Sequence, residues 1–340
     1  MHSKRVVNIF SMNSQNNYKF NKKFWNNQRV LITGSKGFVG QNLFKKLLKI
    51  KKQVKIKILT PSRQELNLIN PNNVQKYFER NKPTLVLHLA GKVGGIGINR
   101  VQQGVFFYEN LLMGAHVMHY SKMFNVKKVV SLAAGCGYPV NSIIPMKESD
   151  FWSGLPDKNS IGYSMAKKNL IIQSWVYKEQ FNFNSTVLLP ANLYGPYDNF
   201  NLKTSHVVPA LIKKFIHAKK NNKKSVNVWG DGSASREFLF VDDLCFIILE
   251  AAERIKSCGP FNVGTGKETT ILKLVNIIKF ILDINPKVIW QKKMPNGQVR
   301  RNYDMKNFKK NFKFRKFSTL QYGLKETIDW YTKNEKFLDK

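Results

Sequence analysis

Two short patterns in this sequence could do chemistry. Gly34-Ser35-Lys36-Gly37-Phe38-Val39-Gly40 carries glycines at GxxGxxG spacing. That spacing lets a chain turn tightly and bring bare backbone N–H groups against a pyrophosphate at a helix N-terminus, where a side chain would collide. Glycines alone also serve structural turns; their place between an apolar strand and an amphipathic helix is what selects dinucleotide binding. Tyr163-Ser164-Met165-Ala166-Lys167 is a YxxxK pattern, which puts a phenol and an ammonium on one helix face at i, i+4. A phenol needs help to exchange a proton near neutral pH, and a neighbouring ammonium favours the phenolate. YxxxK is common by chance, but about 125 residues after the glycines and at the start of a helix it becomes specific.

These groups need a frame that brings 34–40 and 163–167 together. Residues 30–33 form a short apolar strand, and 41–52 carry Leu43, Phe44, Leu47, Leu48 and Ile50 at helical spacing with lysines opposite. Val54, Ile56 and Ile58 alternate as a second strand, ended by Thr60-Pro61-Ser62. Apolar runs at 84–89, 128–132 and 185–189 follow helical segments near 71–80, 105–124 and 164–181. This rhythm predicts an α/β fold with a doubly wound parallel Rossmann sheet. Beyond about residue 200 it changes to helices near 206–219 and 269–284, a short strand at 226–229, loop-rich 294–302 and a last helix over 320–331. The expected organisation is a leader at 1–28, an NADP-binding Rossmann domain at 29–200 and a smaller C-terminal α/β substrate lobe at 201–340, with a chain crossing back to the first domain left open.

The cofactor is read from the end of the second strand, where an NAD site usually presents Asp or Glu to the ribose 2′-hydroxyl. Ser62 and Arg63 occupy that region and Lys36 lies in the glycine loop, so a 2′-phosphate would meet cations. NADP(H) is the expected cofactor; the plainer reading of Arg63 is a surface cation.

The chain carries 56 Lys+Arg against 21 Asp+Glu, a net charge of +35, yet its 43% hydrophobic content excludes a disordered polybasic chain. Residues 1–64 hold 15 basic and no acidic side chains, and 286–340 hold 15 and 5, so the excess lies mainly outside the stretch with the candidate chemistry. A solvated lysine surface and an anionic partner both remain readings of it. Cys136, Cys245 and Cys258 form no CxxC and have no histidine at metal-ligand spacing; no disulfide framework or metal site is expected, and a reducing cytoplasm fits. No run of 18 apolar residues exists, so no membrane span is expected. Residues 1–28 are polar, basic and Asn-rich without a signal peptide's apolar stretch, and read as a disordered leader.

Several longer segments carry a resemblance. Leu89-Ala90-Gly91-Lys92-Val93-Gly94-Gly95-Ile96, Cys136-Gly137-Tyr138-Pro139, the YxxxK segment and Asn192-Leu193-Tyr194-Gly195-Pro196-Tyr197-Asp198-Asn199-Phe200 resemble the extended short-chain dehydrogenase/reductases, and within them the GDP-L-fucose synthase family of epimerase-reductases. Ser205-His206-Val207-Val208-Pro209-Ala210, Arg236-Glu237-Phe238 and Asn262-Val263-Gly264-Thr265-Gly266 continue it, and coverage runs from about 29 to 332. The resemblance implies C3/C5 epimerisation of a GDP-linked 4-keto-6-deoxyhexose and reduction at C4 by NADPH. It implies that Cys136 and His206 move the protons beside the ketone, that Tyr163 protonates the C4 oxygen, and that Lys167 orients the nicotinamide ribose and lowers the phenol pKa. Cofactor contacts are implied at Gly34, Lys36, Gly37, Phe38, Val39 and Gly40, at Ser62 and Arg63, and at Leu89, Ala90 and Asn110. Tyr163, Lys167, Pro190, Asn192, Leu193 and His206 complete that set. Lys214, Trp229 and Arg236 are implied for the substrate, Arg236 on its pyrophosphate. A homodimer through the helices near 105–124 and 164–181 is implied as well.

Two places depart from the pattern. The family has a hydroxyl residue two positions before the cysteine, donating to the keto oxygen; here it is Ala134, and Ser131 points to the other face of its strand. Losing one such donor costs about 10²–10³ in rate at oxyanion-type sites. Either Tyr163 and water polarise the carbonyl, another side chain substitutes, or the sugar differs. The KPDG-like segment reads Met294-Pro295-Asn296-Gly297, with Lys293 one place early. A related nucleotide-sugar epimerase or 4-reductase is the second reading; a non-catalytic nucleotide or nucleic-acid binder is the third, supported by charge alone, and nucleic acid is not the expected partner.

Overall fold

The computed structural model describes residues 19–293 and 299–338; residues 1–18 and Met294-Pro295-Asn296-Gly297 lie outside them. Six strands form the main sheet: β1 (Arg29–Thr33), β2 (Lys57–Leu59), β3 (Leu85–His88), β4 (Lys128–Leu132), β5 (Ser185–Pro190) and β9 (Phe261–Val263). They pair in parallel in the order β2-β1-β3-β4-β5-β9. Val30, Leu31 and Ile32 are all fully buried, because helices cover both faces of a parallel sheet and such strands read as continuous apolar runs. From β1 the chain winds first to β2 and then back past β1 to β3, so a crevice opens at the carboxyl ends of β1 and β3, where such sheets bind ligands.

The helices on this sheet are α1 (Lys22–Trp25), α2 (Phe38–Lys51), α3 (Pro71–Asn81), α4 (Ile96–Val101), α5 (Gln103–Met123) and α6 (Ile161–Phe181). Leu43, Leu47 and Ile50 face the sheet from α2, each contributing roughly 1.5–3 kcal/mol through burial. This helix starts at Phe38, ahead of the expected 41, since Gly37 already serves as its N-cap. The second strand is shorter than expected: the Val54 N–H is spent on Ile50 O at the end of α2, and pairing begins only at Arg29↔Lys57.

The smaller lobe holds a three-stranded sheet, β6 (Asn192–Tyr194), β8 (Ser235–Phe240) and β10 (Glu268–Thr270), with β8 in the middle. β7 (Ser225–Trp229) and β11 (Lys287–Gln291) pair in parallel beside it. Its helices are α7 (Val207–Lys220), α8 (Val241–Arg254), α9 (Ile271–Leu282), α10 (Lys306–Asn311) and α11 (Leu320–Leu338). The lobes interleave along the chain: β6 precedes residue 200, β9 returns to the main sheet, and α8 packs on α2. Two buried carboxylates of α8 hold the segment after α10. Glu250 accepts from the N–H groups of Lys313 and Phe314 at 2.5 and 3.0 Å, and Asp243 from Ser318 N and Oγ at 2.7 and 2.9 Å.

The disordered leader does not extend to residue 28. Trp25 is fully buried and its indole N–H donates to Glu253 of α8, so an aromatic anchor with a satisfied polar tip fixes residues 19–28. Among the described residues, no helix is long and apolar enough to cross a membrane.

Candidate active site

The glycine loop joins β1 to α2 at the switch point. Gly34 has φ +70°, and an added Cβ would lie 2.8 Å from Ala90 N. At Gly40 the same atom would lie 2.2 Å from Gly34 O, so loop and helix touch backbone to backbone. Phe38 and Val39 open α2 behind Gly37, and no side chain caps the first N–H groups. Ser35 Oγ is buried in this loop with no partner. A bare helix N-terminus, glycines packed against β3's exit and an orphaned hydroxyl together fit a pyrophosphate.

Lys36, Ser62, Arg63, Gln64 and Asn67 line an adjoining cleft of about 650 Å³. Arg63 is exposed and 3.9 Å from Glu109. Glu65, the first carboxylate of the chain, accepts the Ser62 N–H at 2.7 Å; bonds from Ser62, then the Lys36 charge, hold it below the usual carboxylate range. It is thereby tied to its own turn. On the other side of the crevice, Asn110 pins the 89–95 loop, donating to Phe106 O and Lys92 O at 2.7 and 3.0 Å and accepting from Lys92 N at 3.0 Å. Ala90 N donates to Thr33 Oγ1 at 3.3 Å, which in turn meets His88 Nδ1 at 2.8 Å. Burial, then the Lys167 charge, holds His88 neutral with a pKa of about 3.

Tyr163 lies in the first turn of α6 with Lys167 one turn on, as the i, i+4 spacing requires. Lys167 is buried, donates to Leu132 O at 3.2 Å and lies with Asn110 Oδ1 against Gly91; burial brings its pKa down to about 8. The expected lowering of the Tyr163 phenol is not observed. Burial pushes it up and the Cys136 sulfur adds to this, while the ammonium sits 5.9 Å from the ring centroid and is aimed at Leu132 O.

Cys136 stands in a 3₁₀ turn, Gly135–Gly137, just past β4. Burial raises its thiol, opposed by a hydrogen bond from Ser164 and by the charges of Arg301 and Lys167. Ala134 precedes it without a hydroxyl, and Ser131 is buried in β4 with Oγ unpartnered, out of reach of the cleft. His206 arrives on another segment as the N-cap of α7; it is exposed, and desolvation by its surroundings lowers its pKa. Gly95 N donates to Thr204 O at 3.1 Å, which ties the 89–96 loop to that segment.

Pro190 ends β5, and Asn192 and Leu193 open β6, so the chain crosses from sheet to lobe at this edge. Lys214 of α7 donates to Asn227 O at 3.0 Å and places its ammonium 5.9 Å over Trp229, which is exposed on β7; burial lowers the Lys214 pKa. Arg236, on β8, is brought down to about 10 by burial and by Arg301. Arg301 and Tyr303 were not singled out in the sequence. Arg301 reaches Arg236, Cys136 and Tyr303 electrostatically, and the buried Tyr303 phenol packs on Gly135 and donates to Pro190 O at 3.3 Å. Only the Arg300-Arg301 pair after the loop hinted at them.

Residues 30–264 match the family model described as the NAD dependent epimerase/dehydratase family. The chain belongs to that family. Its members are enzymes, and this chain carries the family's cofactor fold. It is 33% identical over 306 residues to GDP-L-fucose synthase 1 of Arabidopsis thaliana, covering 90% of this chain and 94% of that protein. It is 32% identical over 310 residues to GDP-L-colitose synthase of Yersinia pseudotuberculosis, covering 91% and 99%. Among solved structures, a GDP-L-fucose synthetase from Naegleria fowleri bound to NADP superposes with a TM-score of 0.85 at 26% identity, covering 92% and 95%.

Proposed function

We propose that this chain is an NADPH-dependent epimerase-reductase that inverts C3 and C5 of a GDP-linked 4-keto-6-deoxyhexose and reduces C4. The observation that carries this reading is the meeting of half-buried Cys136 and Tyr163 with buried Lys167 past the carboxyl end of β4, the phenol and the ammonium each within electrostatic reach of the sulfur. A 4-keto group acidifies the C–H bonds on both neighbouring carbons, so inversion requires one group to take a proton and another to return one on the opposite face. Cys136 and His206 come from different segments and serve as that pair. NADPH, when bound, supplies the hydride to C4. Tyr163, kept protonated by burial, gives its proton to the C4 oxygen, and Lys167 holds the nicotinamide ribose. Lys36 and Arg63 take the 2′-phosphate. Arg236 takes the substrate pyrophosphate, and Trp229 with Lys214 takes the base, a flat ring on an aromatic face. The chain works as a homodimer, supported by exposed Val105, Tyr108, Ile172 and Val176 on α5 and α6; its three free cysteines support a reducing cytoplasm.

Ala134 favours a second reading, a related GDP-sugar with the same cofactor, and the colitose enzyme's equal similarity supports keeping it. Turnover of a panel of GDP- and dTDP-keto sugars with NADPH and NADH separates the two. Consumption of NADPH on GDP-4-keto-6-deoxymannose is expected; C3/C5 exchange without NADPH consumption would make the chain an epimerase alone.

A further inference from the structure

Ser164 is fully buried, so its hydroxyl cannot touch a bound sugar, yet it is aimed at the reaction centre. Its Oγ lies 3.1 Å from the Cys136 carbonyl oxygen and 3.2 Å from Cys136 Sγ. A serine inside a helix often returns its hydroxyl to its own backbone; this one is directed across to the 3₁₀ turn. A hydroxyl has one proton and two lone pairs, so it can give to one of these acceptors while receiving from the other.

Two arrangements follow from that count. With Cys136 as a thiol, the S–H donates to Ser164 Oγ, and the Ser164 O–H rests on the Cys136 carbonyl. With Cys136 as a thiolate, the O–H turns onto sulfur, and a bond to an ion is the stronger of the two. We propose that Ser164 is a positioning residue, a hydroxyl rotor that gives Cys136 a hydrogen-bond partner in both protonation states and holds Sγ in place while its proton passes to and from the sugar. The inference rests on the acid/base reading of Cys136 given above. The proton balance closes without Ser164: each inversion leaves one member of the Cys136/His206 pair with an extra proton and the other one short, exchange with solvent resets both, and Ser164 keeps its own.

The other groups around the sulfur are charged or phenolic. Tyr163 and Lys167 reach it from α6, and Arg301 and Tyr303 from the segment ahead of α10. Burial raises the thiol, and the Ser164 bond is the first of the effects opposing it, ahead of Arg301 and Lys167. The hydroxyl bonded to this cysteine thus comes from α6.

The test is pH-dependent alkylation of the full chain by iodoacetamide, without sugar, followed at the Cys136 peptide by mass spectrometry. Cys245 and Cys258 are buried and report on the fold by staying unmodified. Ser164→Ala is expected to raise the Cys136 midpoint by about one to two pH units, the loss of one hydrogen bond to a charged group. Ser164→Thr, which keeps the hydroxyl, is expected to hold the native midpoint. Should the alanine variant expose the buried cysteines, the same comparison is made with NADPH bound, which stabilises the folded chain. An unmoved midpoint in a folded variant lacking the hydroxyl, or a threonine variant shifted as far as alanine, would overturn the inference. A shifted midpoint in a protein that leaves every keto sugar untouched counts against the functional reading alone. Turnover with an unmoved midpoint counts against the rotor alone.

Discussion

At the end of the cleft proposed for the cofactor, residues 34–40 bring backbone N–H groups into place within one turn of chain, whereas the groups proposed for the sugar end arrive singly: Cys136 after β4, Tyr163 and Lys167 on α6, His206 at the start of α7, Arg236 on β8. The first end depends on the absence of side chains, the second on their presence and protonation. Substitutions at the two ends should therefore separate binding from chemistry.

The largest expected effect is at the sugar end. Tyr163→Phe should lower NADPH oxidation by about 10³ or more, within the range for loss of a general acid, while NADPH titration by fluorescence stays as in the parent. Equal loss of both would show that the two ends are not separable. Gly40→Val should do the reverse. Its Cβ cannot clear the Gly34 carbonyl, and displacing the loop forfeits several pyrophosphate hydrogen bonds, so NADPH should bind about 10²-fold more weakly. Arg63→Ala should reduce the NADPH over NADH preference in kcat/KM about tenfold, a modest effect for an exposed cation. The smallest effect near neutrality is on pH. Burial holds Lys167 at about 8, below an ordinary lysine, so the ammonium is present at lower pH and lost as pH rises. Then Lys167 should set an alkaline limb in kcat/KM for the C4 reduction, half its maximum near 8 and falling tenfold per unit above; a C4 reduction that stays level to pH 10 would remove Lys167 from the chemistry.

The same contrast explains what could be read in the sequence. The glycine loop and YxxxK are local patterns, and the strand–helix rhythm gave the six-stranded parallel sheet apart from its last strand. Helix α8 was missed because its carboxylates look solvent-facing in the sequence, whereas Asp243 and Glu250 are buried with Val241, Leu244, Ile247 and Ile248 and bond to the distant residues Ser318, Lys313 and Phe314. β6, β8 and β10 are short and gain their meaning only from one another. Trp25 looked like part of a polar tail, since its partner Glu253 is 228 residues away. Arg301 and Tyr303 acquire a role only once the tertiary fold folds the chain end over Cys136 and Arg236. Charge gave little beyond the expectation for Lys36 and Arg63: most of the other described lysines face solvent, while Lys128, Lys167 and Lys168 are buried.

The central claim is that one site both inverts C3 and C5 and reduces C4. Turnover of GDP-4-keto-6-deoxymannose with NADPH in D2O, followed by exchange of hydroxyl deuterons and mass spectrometry, tests it directly. The account predicts a reduced sugar carrying two carbon-bound deuterons, one each at C3 and C5, and protium from the cofactor at C4. A reduced sugar with no carbon-bound deuterium, or an exchanged sugar with NADPH untouched, would contradict it.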